Sequence, residues 1–293
     1  MKTIIFQLNS KVINTLVIFG IMKFLNSVFA FYINSSIHVA LAVLALLAIS
    51  VLEFDLKIPN ELWAFVFLGT LTSYNFVKYA AIAGLHHRSL AQSLKAIQIF
   101  SGLCLVLLFF MAVKLSINTL LVTGAFGLAT FLYAVPFVRH KNLRNLSGIK
   151  IFIVAFVWAG VTVIVPMIAS ETPISGDILL TFFQRILIVV ALILPFEIRD
   201  VPYDSLNLKT VPQQVGIKST KLIGQGVLLL CLVFEFFKND SDVAYIISLL
   251  TFCVVLGWLL VISKTQQTRY FSSFWIEGLP ILWLFVFLFF EKL

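Results

Sequence analysis

The 293-residue chain is 61% hydrophobic and only 12% charged, with a formal net charge of +8 and a mean hydropathy of +1.06. Because about a quarter of the residues of a soluble domain are charged, these values exclude a soluble enzyme and indicate a protein that crosses the membrane several times. In such a protein basic residues set the orientation and face anionic lipid, so the positive charge does not indicate a nucleic-acid partner.

The N-terminal segment, residues 1–33, is predicted to lead into a membrane bundle. Its apolar stretch, residues 12–22, is followed by Lys23 and Asn26, which interrupt the hydrophobic run. Residues 28–30 could serve as a cleavage site for a signal peptide. The interruptions favour a retained interfacial helix or a tilted segment at the membrane surface.

Nine apolar segments follow, each close to the length of about 20 residues that crosses a bilayer as a helix. Lipid-exposed backbone must satisfy its own hydrogen bonds, so the fold is predicted to be all-α, a multi-spanning bundle of about nine transmembrane helices. Residues 1–293 are predicted to be one integral-membrane domain, with the nine-helix bundle in residues 34–293. The predicted spans are residues 36–54, 61–84, 94–114, 117–138, 147–169, 178–196, 221–237, 243–263 and 272–290.

Basic residues are concentrated in alternate loops, which predicts the orientation of the chain. The positive-inside rule places the N-terminus and these loops in the cytoplasm, and a bacterial inner membrane is the expected location. The loops that alternate with them contain far fewer basic residues. The basic residues of the cytoplasmic segments are Lys2, Lys11 and Lys23; Arg88 and Lys95; Arg139, Lys141, Arg144 and Lys150; Arg199, Lys209, Lys218 and Lys221; and Lys264 and Arg269.

The densest cluster of ionisable residues comes directly after the sixth predicted span. Glu197, Asp200 and Asp204 are three and four residues apart, so on a helix they form one stripe. Carboxylates this close repel one another, and a cation relieves the repulsion. Mg²⁺ is one candidate, because it binds one or two carboxylates and completes its shell with phosphate oxygens. A solvated acidic helix end neutralised by Arg199 and Lys209 is the alternative.

Two short motifs resemble those of a known family. Asp200 and Asp204 are followed by Lys209-Thr210-Val211-Pro212 and by Gly216. This run is similar to the second aspartate motif of the UbiA superfamily of intramembrane prenyltransferases, in which DxxxD precedes a basic residue, Thr-Leu-Pro and a glycine. The segment Tyr133 to Arg139 resembles the family's Tyr-Ser-x-x-x-x-Lys/Arg segment.

The resemblance implies transfer of a prenyl group from a polyprenyl diphosphate to an acceptor inside the membrane. In the family Mg²⁺ holds the diphosphate between two aspartate motifs, and ionisation produces an allylic cation. The metal stabilises the departing diphosphate, and a dry aromatic cavity protects the cation from water. Carried over to this chain, the Mg²⁺ ligands are Asp200 and Asp204, with Glu197. The residues around the diphosphate are Asn75, Lys78, Arg88, Tyr133, Arg139 and Lys209.

The first aspartate motif of the family is absent. It would lie in residues 73–83, where Asn75 matches, but the aspartate positions hold Phe76, Tyr79 and Ala83. Lys78 is the new charge in this segment. It could bind phosphate as a point charge, neutralise the carboxylates directly and leave no metal site, or extend to the membrane interface.

Two functions therefore stay open. One is a UbiA-like prenyltransferase with an altered diphosphate site. The other is a UbiA-like membrane protein without transferase activity that binds an isoprenoid lipid or a partner. Neither the acceptor nor a catalytic residue is identified by the sequence.

Two more ionisable residues lie inside predicted spans. Arg185 is expected to pair structurally with Glu235 or Glu171, because a charge in the membrane requires a partner. Glu277 is expected to be the carboxylate at the N-terminus of its helix rather than a cavity residue.

Overall fold

A computed structural model describes residues 19–79, 88–134, 148–204, 208–240 and 242–292, of which residues 88–93 are described by their backbone alone. The described residues form helices and connecting turns with no strand, which confirms the predicted all-α fold. The helices are α1 Phe19–Asn34, α2 Ile37–Glu53, α3 Asn60–Tyr79, α4 Arg88–Ala112, α5 Ile117–Ala134, α6 Lys150–Ala159, α7 Val165–Ala169, α8 Gly176–Asp200, α9 Val211–Glu235, α10 Val243–Ile262 and α11 Leu279–Glu291, with π-helical turns at Gly160–Ile164 and Phe271–Ile276.

The described helices support an integral membrane protein but not the count of nine spans. Seven are long and apolar enough to cross a membrane, and an eighth span results if α1 and α2, bent by 55° at their junction, count as one. Helix α3 lies in the second predicted span and is long enough, with 20 residues, to cross a membrane. It is not among the seven, because Asn75, Lys78 and several hydroxyl residues make it more polar than they are. The orientation in the membrane stays a prediction.

Helix α8 runs through the core and ends at the predicted site. Ser175 caps its first turn by accepting a hydrogen bond from the Ile178 N–H, and most of its side chains are buried against α6 and α9. The helix ends at Asp200, so Glu197 and Asp200 belong to its last turn. Asp204 lies in the turn that follows, where its N–H donates to the Asp200 carbonyl at 2.8 Å.

The Lys-Thr-Val-Pro run begins the next helix. Thr210 is the N-cap of α9 and forms a capping box with Gln213, and Pro212 occupies the first turn, where a missing N–H costs nothing. Helix α9 therefore begins at Val211, earlier than the predicted start at residue 221. Gly216 interrupts it with φ 80° and ψ 161°, a conformation that residues with a side chain rarely adopt.

A glycine lets α5 approach the end of α6. A Cβ added at Gly160 would lie 2.0 Å from Phe126 Cζ, so the aromatic ring packs directly on the glycine backbone. Gly160 also begins the π-helical turn that joins α6 to α7. The close contact anchors the middle of α5 against the end of α6, beside the cavity described below.

Candidate functional site

An apolar cavity of about 390 Å³ lies between α3, α5 and α6. Its volume is within the range of about 300–1,000 Å³ that is usual for small-molecule sites. Gly124 and Gly127 of α5 leave room in its wall, since nothing lies within 4 Å of the position that a Cβ would take at either. The lining is mostly aliphatic and aromatic, with Ser73, Thr70, Thr123, Thr130, Tyr74 and Tyr133 as its polar members.

Two tyrosines connect this cavity with charged residues at one end of the bundle. Tyr133, at the end of α5, is buried and lies within electrostatic range of Lys150. The Tyr74 hydroxyl accepts a hydrogen bond from Trp158 Nε1 at 2.8 Å and lies within electrostatic range of Glu277. A long apolar ligand with a polar head therefore has room for its chain beside a charged region for its head.

The charged region, here called the carboxylate end, consists of Glu197, Asp200, Asp204, Arg199 and Lys150. Lys150 is the first residue of α6, and its Nζ lies 2.7 Å from Glu197 Oε1 and 3.6 Å from Asp204 Oδ2. The Glu197 side chain is 3% exposed and that of Lys150 22% exposed. One ammonium thus lies between two of the three carboxylates that were predicted to hold Mg²⁺.

The third carboxylate, Asp200, is bound by its neighbour Arg199. Arg199 Nε donates to Asp200 Oδ1 at 2.7 Å, and Nη2 donates to Oδ2 at 3.0 Å. The guanidinium carbon also lies 5.2 Å from the centre of the Phe196 ring. This two-bonded pairing occupies both oxygens of the carboxylate.

The residues at the carboxylate end do not fit a magnesium ion as they are arranged. Mg²⁺ requires oxygen ligands at about 2.0–2.1 Å in octahedral geometry. Within the part of the chain that the structure describes, no group of three or more acidic, histidine or cysteine side chains could hold a metal ion. Mg²⁺ at Asp200, Asp204 and Glu197 therefore stays a prediction.

The side chains of Asn75 and Lys78 form hydrogen bonds with the residues at the bend between α1 and α2. Asn75 Oδ1 accepts from Ser36 Oγ at 2.8 Å, and its Nδ2 donates to the Ser35 carbonyl at 2.9 Å and to Ser101 Oγ at 2.7 Å. Lys78 Nζ donates to the Asn34 carbonyl at 3.2 Å. Carbonyls at a helix end have no partner within the helix, so these two side chains stabilise the bend.

The other residues predicted to surround the diphosphate are dispersed. Tyr133 lines the cavity, whereas Lys209 has an exposed side chain and a backbone φ of 44° in the turn before α9. Arg88 begins α4, but its side chain lies outside the described atoms, and Arg139 lies outside the described residues. None of these predicted roles is tested by the structure.

Sequence reasoning missed two charged residues near the site. Lys150 was counted only as a loop charge, although a basic residue at the start of a span can reach an acidic residue at the end of a neighbouring one. Glu277 was expected at the N-terminus of its helix; it lies two residues before α11, at the end of the preceding π-helical turn, and within electrostatic range of Lys78 and Arg199. Its position beside a helix that carries Lys78 could not be read from local sequence.

Comparison with known proteins supports the fold. No protein-family model and no curated protein sequence matches the chain. A solved structure of digeranylgeranylglyceryl phosphate synthase, described as a membrane protein, is similar with a TM-score of 0.57 over 92% of this chain and 100% of the other, at 15% sequence identity. At this identity the similarity establishes the fold alone: the chain shares the helical-bundle fold of that synthase, in agreement with the fold that the resemblance to the UbiA superfamily implies.

Proposed function

We propose that this protein is a prenyltransferase that moves a prenyl group from a polyprenyl diphosphate to an acceptor within the membrane. The observation that carries the proposal is the position of the apolar cavity beside the carboxylate end, in a fold shared with a digeranylgeranylglyceryl phosphate synthase. The cavity suits an isoprenoid chain, and the charged residues suit a polar head group. The acceptor and the length of the prenyl chain are not specified by these features.

The cavity residues would exclude water and surround the reactive end of the chain. Tyr74, Tyr133 and Trp158 present aromatic surfaces there, and aromatic faces stabilise a nearby cation. Lys78, Lys150 and Arg199 supply positive charge at the same end of the bundle. The function is proposed without a metal step, because the carboxylates that would hold Mg²⁺ are in ion pairs with Lys150 and Arg199.

A second candidate function is binding of an isoprenoid lipid without transfer. It is favoured by the same ion pairs together with the absence of the family's first aspartate motif, since Asn75 and Lys78 are engaged in stabilising the α1–α2 bend. In this case the cavity would retain the chain, and no bond would be broken.

The experiment compares two glycine variants of the purified full-length protein in detergent. Gly124→Leu adds a side chain at a position that lines the cavity, whereas Gly226→Leu adds the same side chain on an exposed surface of α9. Neither glycine has an atom within 4 Å of its added Cβ, so both variants should fold. Binding and diphosphate release are measured with labelled polyprenyl diphosphates and a detergent extract of membrane lipids as the source of acceptor.

Prenyl transfer predicts diphosphate release by the wild type and by Gly226→Leu, with a loss of at least about tenfold in Gly124→Leu, because displacing a substrate by about 1 Å can cost up to about 10²-fold in rate. Binding without release, reduced in Gly124→Leu, would support the second candidate. If the labelled diphosphates bind equally to all three proteins, or to none, the cavity is not the binding site and both candidates are wrong.

A further inference from the structure

The ammonium of Lys150 occupies the position at which a divalent cation would neutralise the carboxylate end. It contacts Glu197 Oε1 at 2.7 Å and lies 3.6 Å from Asp204 Oδ2, which is buried and accepts no hydrogen bond from the described residues. Lys150 is fixed at the first turn of α6, and α6 packs along α8, which carries Glu197. The cation is therefore built into the fold and positioned by two packed helices.

A metal ion and this ammonium cannot share the same carboxylates at low cost. A Mg²⁺ ion bound to Glu197 and Asp204 would have to lie within a few ångströms of Lys150 Nζ, and like charges repel strongly in a partly buried site. Asp200 is already neutralised by Arg199, which donates to both of its oxygens and whose positive charge also opposes a cation there. Replacing the lysine would require either its ejection toward solvent or its deprotonation.

We propose that Lys150 is an intrinsic counter-ion that takes the place of a divalent metal, so that the native carboxylate end binds no Mg²⁺. Glu197 and Asp204 then become a divalent-cation site only when the lysine is removed. The inference goes beyond prenyl transfer, because it concerns the cation and can be tested without substrate.

The loops around the ammonium strengthen this assignment. The Gly148 N–H donates to the Leu208 carbonyl at 3.3 Å, which joins the approach to α6 with the segment after Asp204. The Gln213 side chain donates to the Asp204 carbonyl at 3.1 Å and also caps α9. These bonds hold the backbone on both sides of the Lys150–Asp204 contact, so the position of Lys150 does not depend on a flexible side chain alone.

The test is Mn²⁺ binding to the purified full-length protein, because Mn²⁺ replaces Mg²⁺ at carboxylate sites and is followed by electron paramagnetic resonance. Three proteins are compared: the wild type, Lys150→Arg, which keeps the charge, and Lys150→Gln, which removes it. We expect Lys150→Gln to bind Mn²⁺ at least about tenfold more tightly than the other two, because it removes the ammonium that repels a cation at these carboxylates. The gain should disappear in Lys150→Gln combined with Asp204→Asn.

Thermal unfolding of the same proteins is the second measurement. The Tm of the wild type should be the same in EDTA and in Mg²⁺, whereas that of Lys150→Gln should shift upward on adding Mg²⁺, since a ligand stabilises the state that binds it. The proposal is overturned if the wild type binds one Mn²⁺ per chain that Asp204→Asn abolishes, or if folded Lys150→Gln gains no affinity. Should Lys150→Gln fail to fold, the Mn²⁺ titration of the wild type alone decides whether the proposal stands.

These outcomes are separable from those of the proposed function. A wild type that binds no Mn²⁺ but releases diphosphate supports both proposals. Release that requires Mg²⁺ and is lost in Asp200→Ala supports prenyl transfer and contradicts the role given to Lys150.

Discussion

Two clusters of charged side chains lie at opposite ends of the same bundle and differ in how completely they are closed. At the end away from Asp200, Lys238 Nζ lies 2.6 Å from Glu53 Oε1 and 2.8 Å from Glu235 Oε2, and these side chains are 1%, 7% and 6% exposed. At the carboxylate end, the Lys150, Asp204, Arg199 and Asp200 side chains are between 19% and 35% exposed. The first cluster, called the sealed cluster below, is buried within the protein, whereas the side chains of the second are partly exposed.

The sealed cluster holds helices together. Arg185 of α8 donates to the Leu46 carbonyl at 2.7 Å and to Ser50 Oγ at 3.1 Å, both on α2. Its guanidinium also lies 5.3 Å from the Trp283 ring of α11. The expected pairing of Arg185 with Glu235 or Glu171 is wrong: Arg185 makes its hydrogen bonds to α2, and Glu235 pairs with Lys238. Buried charge therefore stabilises the packing of helices at one end of the bundle, whereas the accessible charge at the other end is where we propose that the polar head of a ligand binds.

The largest effect on stability is expected at the sealed end. Lys238→Met removes the cation between Glu53 and Glu235 and leaves two buried carboxylates, which should cost about 3–5 kcal/mol of unfolding free energy. The measurement is chemical or thermal unfolding in detergent. Lys114→Met is the matched control, since Lys114 lies 3.8 Å from Glu61 at an exposed site, where a pair contributes at most about 1 kcal/mol. Equal losses in the two variants would contradict the difference in burial.

A smaller loss is expected from Glu197→Gln at the carboxylate end. The amide still accepts a hydrogen bond from Lys150 but lacks the charge, and the expected cost is about 1–3 kcal/mol of unfolding free energy. The effect is smaller than that of Lys238→Met because Lys150 keeps Asp204 as a neighbour and has partial access to solvent. Unfolding measured side by side with Lys238→Met checks the order. A larger loss in Glu197→Gln than in Lys238→Met would show that the carboxylate end contributes more to the unfolding free energy than the sealed cluster does.

The smallest effect is expected from Arg199→Gln. The pair it forms with Asp200 is about one third exposed, so its loss should change the unfolding free energy by at most about 1 kcal/mol. Salt screens exposed charges, so this small difference should shrink further at high ionic strength. The Tm of Arg199→Gln and wild type is compared at low and high salt. A loss that is large and independent of salt would mean that Arg199 is effectively buried.

Local sequence signals were sufficient for much of the bundle. Hydropathy predicted the membrane helices, although α9 begins at Val211, ahead of the predicted start at residue 221, because Thr210 and Pro212 build its first turn. The spacing of Glu197, Asp200 and Asp204 correctly indicated a charged cluster at the end of a span. The count of nine spans was not confirmed, since α3 combines helix-forming length with polar side chains that serve contacts within the protein.

The partners of the charged residues were beyond the reach of the sequence. Lys78 looked able to neutralise the carboxylates, yet it donates to the Asn34 carbonyl, and Lys150 contacts Glu197. Both lysines lie at helix ends near basic loops, so nothing in their neighbouring residues distinguishes them. Which one meets the carboxylates depends on which helix packs against α8.

The sequence by itself determined that this chain is an all-helical membrane bundle with acidic residues at the end of α8, because hydropathy and residue spacing are properties of neighbouring residues. Only the tertiary structure decided that α6 lies beside α8, that Asn75 and Lys78 stabilise the bend before α2, and that an apolar cavity opens along α5. The physical reason is that packing brings together residues that are far apart in the chain. An ion pair between two such residues forms at a low cost in conformational entropy only once the helices that carry them are in contact.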